Sequence, residues 1–322
     1  MTTRRLLAFA AALLTSLGPA GCRRQPPAPA TAEQQLLVRL LVSSQVPDRW
    51  AREADRGVAR IAGELGATIG RTRVEDGSVA HAVGAAGYER PPDLVFCLGS
   101  DFANSLFADA LLFPDTSFVL VPGRGHPPNV AGVELLPAGA GYVAGVLAAH
   151  LRPAPVVGVI RGSGDAWLDD LESGFVAGFQ SVRHDARAAT AGSAAGVAQL
   201  VAEGAEIALY STDVPDPEVP VAARDTGLLL VTADGTLIED DPDVVAAAVE
   251  VDLAEVMVRL VREVQAGTFS AGNYVFDLGS GVLDVRLGPD LPGDRAADLR
   301  EALEVARSEV TAGIVEMEGL GM

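Results

Sequence analysis

From residue 36 onward, short and continuously apolar runs alternate with amphipathic stretches of helical length. A strand that is apolar throughout is typical of a parallel sheet covered by helices on both faces, and the alternation predicts right-handed βαβ units. The pattern occurs in two successive series, which end near residues 135 and 231. We therefore predict an α/β fold with two doubly wound, Rossmann-like lobes.

The limits of each predicted element follow from where the apolar runs begin and end. In the first series the predicted strands are 36–42, 67–74, 93–98, 117–121 and 130–135, and the predicted helices are 48–65, 79–86 and 102–112. In the second series the predicted strands are 156–160, 186–191, 207–210 and 228–231, and the predicted helices are 141–151, 167–182 and 194–203.

The end of the chain departs from this alternation. We predict one long helix over 244–265, two short strands at 274–278 and 282–287, and a terminal helix over 295–311. A late helix outside the alternation indicates that the chain crosses back to the first lobe, so that several crossings form a hinge. The predicted lobes are residues 36–136 plus about 247–270 and residues 137–246 plus about 271–290, followed by a C-terminal helix and tail over 291–322.

The first residues have the layout of a bacterial export signal. Arg4 and Arg5 form a positive pair before an apolar run over 6–17. A positive start followed by a short apolar stretch is typical of a secretory signal. The apolar run is too short to cross a bilayer, which requires roughly 20 residues. The sequence thus predicts export from the cytoplasm.

A cysteine follows this signal at the position where lipoproteins are processed. Cys22 comes directly after Ala20 and Gly21, so we predict that residues 1–21 are removed and that Cys22 becomes the lipidated N-terminus. Residues 22–35 are rich in proline and alanine and are expected to be a disordered tether. The alternative is an ordinary cleaved signal with an incidental cysteine. The predicted location is the cell envelope, with a lipid anchor in a membrane and the protein facing the periplasm or the exterior.

Charge and the choice of basic residues exclude several functions. The formal net charge is −19, and all 24 basic residues are arginines, with no basic run beyond the signal. Nucleic acid polymers are therefore not expected partners, because phosphate binding depends on basic patches. Without lysine the chain can be neither a P-loop protein nor a Schiff-base enzyme. Cys97 is the only cysteine besides Cys22, and its apolar surroundings indicate a buried small hydrophobic residue.

The sequence patterns do not indicate a metal site, a cofactor or catalysis. The four histidines are scattered, and the chain has no Gly-x-Ser-x-Gly motif. Gly162-Ser163-Gly164 matches only part of a dinucleotide fingerprint. The acidic cluster over 239–243 lacks the spacing of an EF-hand and is interpreted as a solvated face. We therefore predict that the protein is not an enzyme and that it contains neither a cofactor nor a metal ion.

Five segments, in the same order, resemble one bacterial family. They are PDLVFCLGSDF at 92–102, FPDTSFVL at 113–120, GYVAGVLAA at 141–149, VGVIRG at 157–162 and GFVAGF at 174–179. The set is similar to the basic membrane protein family of lipoproteins, the nucleoside-type periplasmic binding proteins that serve ABC importers. The resemblance covers roughly residues 38–287. It implies the two-lobe architecture of type I periplasmic binding proteins, an ABC permease as partner, no catalysis, and purine nucleosides as the type of ligand.

Candidate binding residues lie beyond the carboxyl ends of the predicted strands, where open α/β sheets bind ligands. From position alone, each serine or aspartate there is either a ligand contact or a helix N-cap. Trp167, at the start of a predicted helix, is a candidate stacking ring. The strand-end candidates are Ser44, Gly99, Ser100, Phe102, Gly162 and Asp234.

The resemblance assigns roles to two further positions. It implies that Trp50 stacks on the ligand and that Asp234, at the end of an apolar strand, contacts ligand hydroxyls. Ala51 stands where the family has asparagine, and Pro47 and Pro122 stand near two expected aspartates. Packing in the helix–sheet core is the alternative for Trp50. A pocket with a ring but fewer polar partners is expected to take a more apolar aromatic ligand, or a nucleoside with little base selectivity.

These observations predict a lipid-anchored, extracytoplasmic solute-binding protein. It would capture a small molecule, nucleoside-like or otherwise aromatic or polar, in a cleft between the lobes for ABC import. A first alternative is a sensory or assembly lipoprotein with the same fold and no transport role. A second alternative is an extracytoplasmic α/β enzyme.

Overall fold

Two six-stranded β-sheets with helices packed on them make up the computed structural model. The structure describes residues 35–75, 78–84, 90–164, 166–289 and 296–315. The predicted signal, Cys22, the tether up to residue 34, and Asp165 lie outside these ranges. The described residues belong to one compact unit.

The first lobe begins with five strands and three helices. The strands are β1 (Leu37–Ser43), β2 (Thr68–Val74), β3 (Leu94–Leu98), β4 (Ser117–Val121) and β5 (Val130–Leu135). The helices are α1 (Asp48–Leu65), α2 (Val79–Gly84) and α3 (Ala103–Asp109), with 3₁₀ turns at Ser100–Phe102 and Ala110–Leu112 on either side of α3.

The second lobe follows with the same alternation. Its helices are α4 (Ala138–Leu151), α5 (Ala166–Val182), α6 (Val197–Ala202), α7 (Glu218–Thr226) and α8 (Thr236–Asp240). Its strands are β6 (Val156–Arg161), β7 (Arg187–Ala191), β8 (Ala205–Ser211), β9 (Leu229–Thr232) and β10 (Val245–Val251), and 3₁₀ turns lie at Ala194–Gly196 and Leu278–Ser280. The chain ends with α9 (Leu253–Ala266), β11 (Asn273–Phe276), β12 (Leu283–Leu287) and α10 (Ala296–Thr311).

The two sheets have the same topology. The strand order is β11-β5-β4-β3-β1-β2 in the first and β12-β10-β9-β8-β6-β7 in the second. The pairs within both sheets are parallel, except that β12 runs antiparallel to β10. In each sheet the order reverses beside the first strand, β1 or β6, which creates a crevice at the carboxyl edge. The doubly wound α/β prediction is confirmed.

Three segments join the lobes. The chain crosses between β5 and α4, between β10 and α9, and between β11 and β12. Helix α9 packs against α1 of the first lobe, whereas α4 packs against α5 of the second. Within the described ranges, no helix has both the length and the apolar character that a membrane crossing requires.

The prediction of one long helix over 244–265 is wrong. Residues Val245–Val251 form strand β10, which lies between β12 and β9 in the second sheet, and only Leu253–Ala266 are helical. The Asp252 side chain accepts a hydrogen bond from the Glu255 backbone N–H (2.8 Å), which caps the helix at its true start. The valines before it are β-branched and suit a buried strand.

The predicted lobe limits near the end of the chain are also wrong in two places. Strand β10, partly assigned to the first lobe, pairs with β9 of the second sheet. Strand β11, assigned to the second lobe, pairs with β5 of the first. The first error follows from the wrong helix over 244–265, and the second concerns the partner of a short strand, which depends on long-range packing rather than on the local sequence.

Glycines allow helices α4 and α5 to pack so closely that the backbone of one lies against the backbone of the other. Helix α4 is buried along nearly its whole length. A Cβ atom placed on Gly141 or Gly145 of α4 would meet the backbone carbonyls of α5, and one placed on Gly174 or Gly178 of α5 would meet those of α4. Backbone atoms cannot move aside as a flexible side chain can. The contact between these helices therefore requires glycine at these positions.

We expect Gly145→Ala to lower the free energy of unfolding by about 1–3 kcal/mol, because its methyl group would overlap the Phe175 carbonyl oxygen. Gly63→Ala is the matched control. Gly63 lies in α1 with open space around it, so alanine there should raise the free energy of unfolding by about 0.5–1 kcal/mol. Urea unfolding followed by circular dichroism measures both. Equal stability of Gly145→Ala and the wild type would contradict the close contact.

Candidate ligand-binding cleft

A cavity of about 910 Å³ lies between the two lobes at the carboxyl edges of their sheets. The first lobe contributes the loop after β1, the start of α1 and the loop after β3, and the second lobe contributes the loops after β6, β8 and β9. A volume of this size suits a small molecule. A smaller cavity of about 390 Å³ adjoins it and shares Trp50, Arg52 and Asp234. Burial raises the pKa of the Glu53 carboxyl on the wall of the smaller cavity.

Five of the predicted ligand-contact residues line the larger cavity. The structure brings them together from three separate segments of chain. They are Ser44, Trp50, Gly99, Ser100 and Asp234.

Phe102 does not lie in the cleft, which corrects the prediction for this residue. Its side chain is fully buried in an apolar cluster with Leu41, Cys97 and Phe118. The cause is the 3₁₀ turn over Ser100–Phe102, which leaves Ser100 exposed and turns the ring inward.

Gly162 is also absent from the cleft wall as far as the structure describes it. It directly follows the last residue of β6, and its backbone N–H continues the pairing with β8 by donating a hydrogen bond to the Ser211 carbonyl at 2.8 Å. A Cβ atom at this position would meet the Thr212 side chain. Gly162 therefore has a packing role in the described structure, and the neighbouring Ser163 and Gly164 face the cavity instead.

Gly99 shapes the first-lobe wall through its backbone. Its φ of +131° is one that other residues rarely adopt, and a Cβ atom there would lie 2.6 Å from Ser43 and Asp101 side-chain atoms. Those two side chains are joined directly, since the Ser43 hydroxyl donates to an Asp101 carboxylate oxygen at 2.8 Å. The absence of a side chain at Gly99 thus allows the hydrogen bond that joins the ends of β1 and β3, and Ser100 lines the cavity.

The chain has two tryptophans, and they meet at the cleft. The rings of Trp50 and Trp167 are edge to face, with centroids 5.6 Å apart and planes at 84°. Trp50 lies on α1 of the first lobe, and Trp167 lies on α5 of the second lobe. The contact therefore joins the lobes and places both candidate stacking rings at one point.

Arg49 is among the cleft residues that were not predicted from the sequence. Its guanidinium carbon lies 5.0 Å from the Trp50 ring centroid and 4.9 Å from that of Trp167, within cation–π distance of both. It donates to an Asp213 carboxylate oxygen at 2.5 Å and to the Ala233 carbonyl at 2.9 Å. Arg49 and Asp213 are only 9% and 11% exposed, so this is a buried ion pair that connects the lobes. Its position beside Trp50 at the start of α1 was the available signal.

Asp234 takes part in a second connection between the lobes. One carboxylate oxygen accepts from the Thr236 N–H (3.0 Å) and hydroxyl (2.8 Å), and the other accepts from Arg52 at 3.0 Å. The Arg52 side chain is half exposed, whereas Asp234 is 9% exposed. A carboxylate offers about four lone-pair sites, so Asp234 retains room for one more donor.

No group of three or more His, Cys, Asp and Glu side chains is placed to hold a metal ion among the residues that the structure describes. Cys97 is fully buried, as predicted, and burial raises the pKa of its thiol. A buried, protonated thiol is a poor nucleophile.

Comparison with known proteins supports the fold. No protein-family model matches the sequence, and no curated protein matches it. A transcriptional activator of the comK gene from Bacillus halodurans is 21% identical, with a TM-score of 0.71, over 85% of this chain and 97% of that one. An ABC transporter solute-binding protein from Conexibacter woesei is 19% identical, with a TM-score of 0.70, over 89% and 100%. One from Aeropyrum pernix is 15% identical, with a TM-score of 0.66, over 87% and 92%.

These likenesses show a shared architecture. The chain has the two-lobe α/β fold of type I periplasmic binding proteins, as the sequence analysis predicted. At such low identity the similarity is one of fold alone.

The inward position of Phe102 generates a stability prediction. Phe102→Ala should lower the free energy of unfolding by about 3–5 kcal/mol, because it leaves a cavity in the first-lobe core. Leu112→Ala, at a side chain that is 68% exposed in the same segment, should change it by less than about 0.5 kcal/mol. Chemical denaturation compares the two variants. Similar small effects would mean that Phe102 is not part of the core.

Proposed function

We propose that this protein is an extracytoplasmic solute-binding protein that captures a small molecule between its two lobes. The observation that carries the proposal is the cavity of about 910 Å³ at the facing carboxyl edges of the two sheets. Three chain crossings form a hinge beside it. A solute that contacts both lobes stabilises the closed form, and its differential affinity for that form drives closure.

The cleft wall supports an aromatic or otherwise weakly polar solute. Trp50 and Trp167 offer ring surface, and Pro47, Pro122 and Leu135 add apolar surface. Ser44, Ser100 and Asp234 supply hydrogen-bonding groups. Ala51, Pro47 and Pro122 stand where the resembled family has polar groups, so we propose a nucleoside-like or related aromatic ligand that is bound with low base selectivity.

Import through an ABC permease is the proposed use of the bound solute, and solved solute-binding proteins of ABC transporters with the same fold support it. A sensory role would use the same cleft with a different partner. The two are separated by uptake of labelled solute in cells with and without this protein. Unchanged uptake together with solute binding in vitro would favour the sensory role.

A thermal-shift screen of nucleosides, bases and sugars tests the binding proposal. The suitable chain starts after residue 31, since it contains the whole compact unit from Gln35 onward. We expect at least one nucleoside or related aromatic compound to raise the melting temperature in a saturable way. No binder in the panel, or turnover of a binder, would contradict a solute-binding role.

For the ligand that this screen identifies, Asp234→Ala should weaken binding by about 1.5–3 kcal/mol, the range for hydrogen bonds to charged groups. Asp225→Ala removes the same charge from an exposed position on α7 and should leave the affinity unchanged. Titration calorimetry measures both, and circular dichroism confirms that the variants are folded. Wild-type affinity in Asp234→Ala would refute the role of this acid.

The lipid anchor at Cys22 is also a proposal, based on the signal and the cysteine after Ala20-Gly21. Cys22→Ser should abolish lipidation and release the protein from the membrane fraction. Fractionation of cells and the size of the precursor measure this. Unchanged membrane retention and unchanged processing would show that the cysteine is incidental.

A further inference from the structure

The surroundings of Arg49 are those of a bound ligand. Its planar guanidinium group lies against two indole rings at nearly equal distances and donates to a carboxylate and to a backbone carbonyl. Guanidinium-type cations are recognised in this way, because the cation is attracted to nearby aromatic rings while its fork of N–H groups donates hydrogen bonds in fixed directions.

Most of these contacts come from the lobe opposite to Arg49. Arg49 belongs to α1 of the first lobe, whereas Trp167, Asp213 and Ala233 follow β6, β8 and β9 of the second. Three strand-end segments of one lobe thus converge on a side chain that the other lobe supplies. The arrangement is that of a binding site in the second lobe whose occupant is part of the same chain.

We propose that Trp167, Asp213 and the Ala233 carbonyl, closed by Trp50, form a site for a planar cation, and that Arg49 is its built-in occupant. The ligand class is the guanidinium or amidinium group. A compact ammonium ion could pair with Asp213, but its single nitrogen cannot reproduce the two guanidinium nitrogens that donate separately to Asp213 and to the Ala233 carbonyl. This inference does not depend on which solute the larger cavity carries.

Two consequences follow for the cleft. Arg49 favours the closed arrangement of the lobes before any solute arrives. A solute with a planar cation has to displace Arg49, which competes at the high effective concentration of a tethered group.

Chemical rescue tests the site. Arg49→Ala, made in the chain from residue 32 onward, removes the occupant and leaves the site. We expect ethylguanidinium chloride to produce a saturable change in tryptophan fluorescence in this variant, since both tryptophans of the chain border the site. It should bind the wild type at least about tenfold more weakly, because Arg49 fills the site there. Ethylammonium chloride at equal concentration controls for charge and ionic strength.

Arg224→Ala is the matched control variant. Arg224 pairs with Asp241 and Asp243 at 2.8 and 2.6 Å and is 41% exposed, so its removal frees two carboxylates on the surface. Ethylguanidinium should bind this variant no better than the wild type. Adding Trp167→Leu or Asp213→Asn to Arg49→Ala should abolish the rescue, whereas adding Asp225→Ala should leave it intact.

Equal binding of ethylguanidinium to Arg49→Ala and the wild type would overturn the proposal, as would rescue that survives Trp167→Leu. If circular dichroism shows that Arg49→Ala is unfolded, Arg49→Gln replaces it, because glutamine keeps a hydrogen-bond donor and loses the charge. The same titration then decides. Binding of a nucleoside to the wild type would not count as support for this cation site. Failure of the nucleoside screen would not contradict the cation site either.

Discussion

Parallel strands end at one edge of a sheet, and this constraint determines where the working surface of the protein can lie. Helices cover both faces of each sheet, so the loops at the carboxyl edge are the part that faces the other lobe. The close packing of α4 on α5 belongs to the same arrangement. Glycines remove the side chains between these helices, which lets the second lobe present its loops on a rigid base.

Across this edge the lobes are joined by two arginine–aspartate pairs of different character. The pair of Arg49 and Asp213 is buried, and its geometry is completed by two rings and a carbonyl. Loss of one member of such a pair leaves a charge without compensation and costs about 3–5 kcal/mol. The pair of Arg52 and Asp234 is half exposed on the arginine side and is screened by solvent. Removing one member of the first pair should therefore disturb the contact between the lobes more than removing one member of the second.

Local sequence signals predicted much of the fold. The limits of α1, β4 and β5 agree with the predicted ones because turn residues and caps mark them in the sequence. The helix predicted over 244–265 failed because an alanine–valine run suits a buried strand as well as a helix. The sheet that β11 joins could not be predicted, since pairing between distant strands leaves no local signal.

The site residues that directly follow strands could be predicted from the sequence. Those whose role depends on contact between the lobes could not. Ser44, Gly99, Ser100 and Asp234 reach the cleft because each follows a strand. Phe102 follows one too, but a 3₁₀ turn rotates it into the core. The importance of Arg49 arises from partners more than 160 residues away, at Asp213 and Ala233.

The strand order also has a consequence for synthesis on the ribosome. Strand β5 is complete at residue 135, yet its neighbour β11 begins only at residue 273. Until then the emerging first sheet has a free edge, and such edges pair readily with other chains. A truncated chain that ends before residue 273 would expose that edge permanently. The first lobe is therefore not a contiguous piece that could be expressed alone, and it is finished only when almost the whole chain has been made.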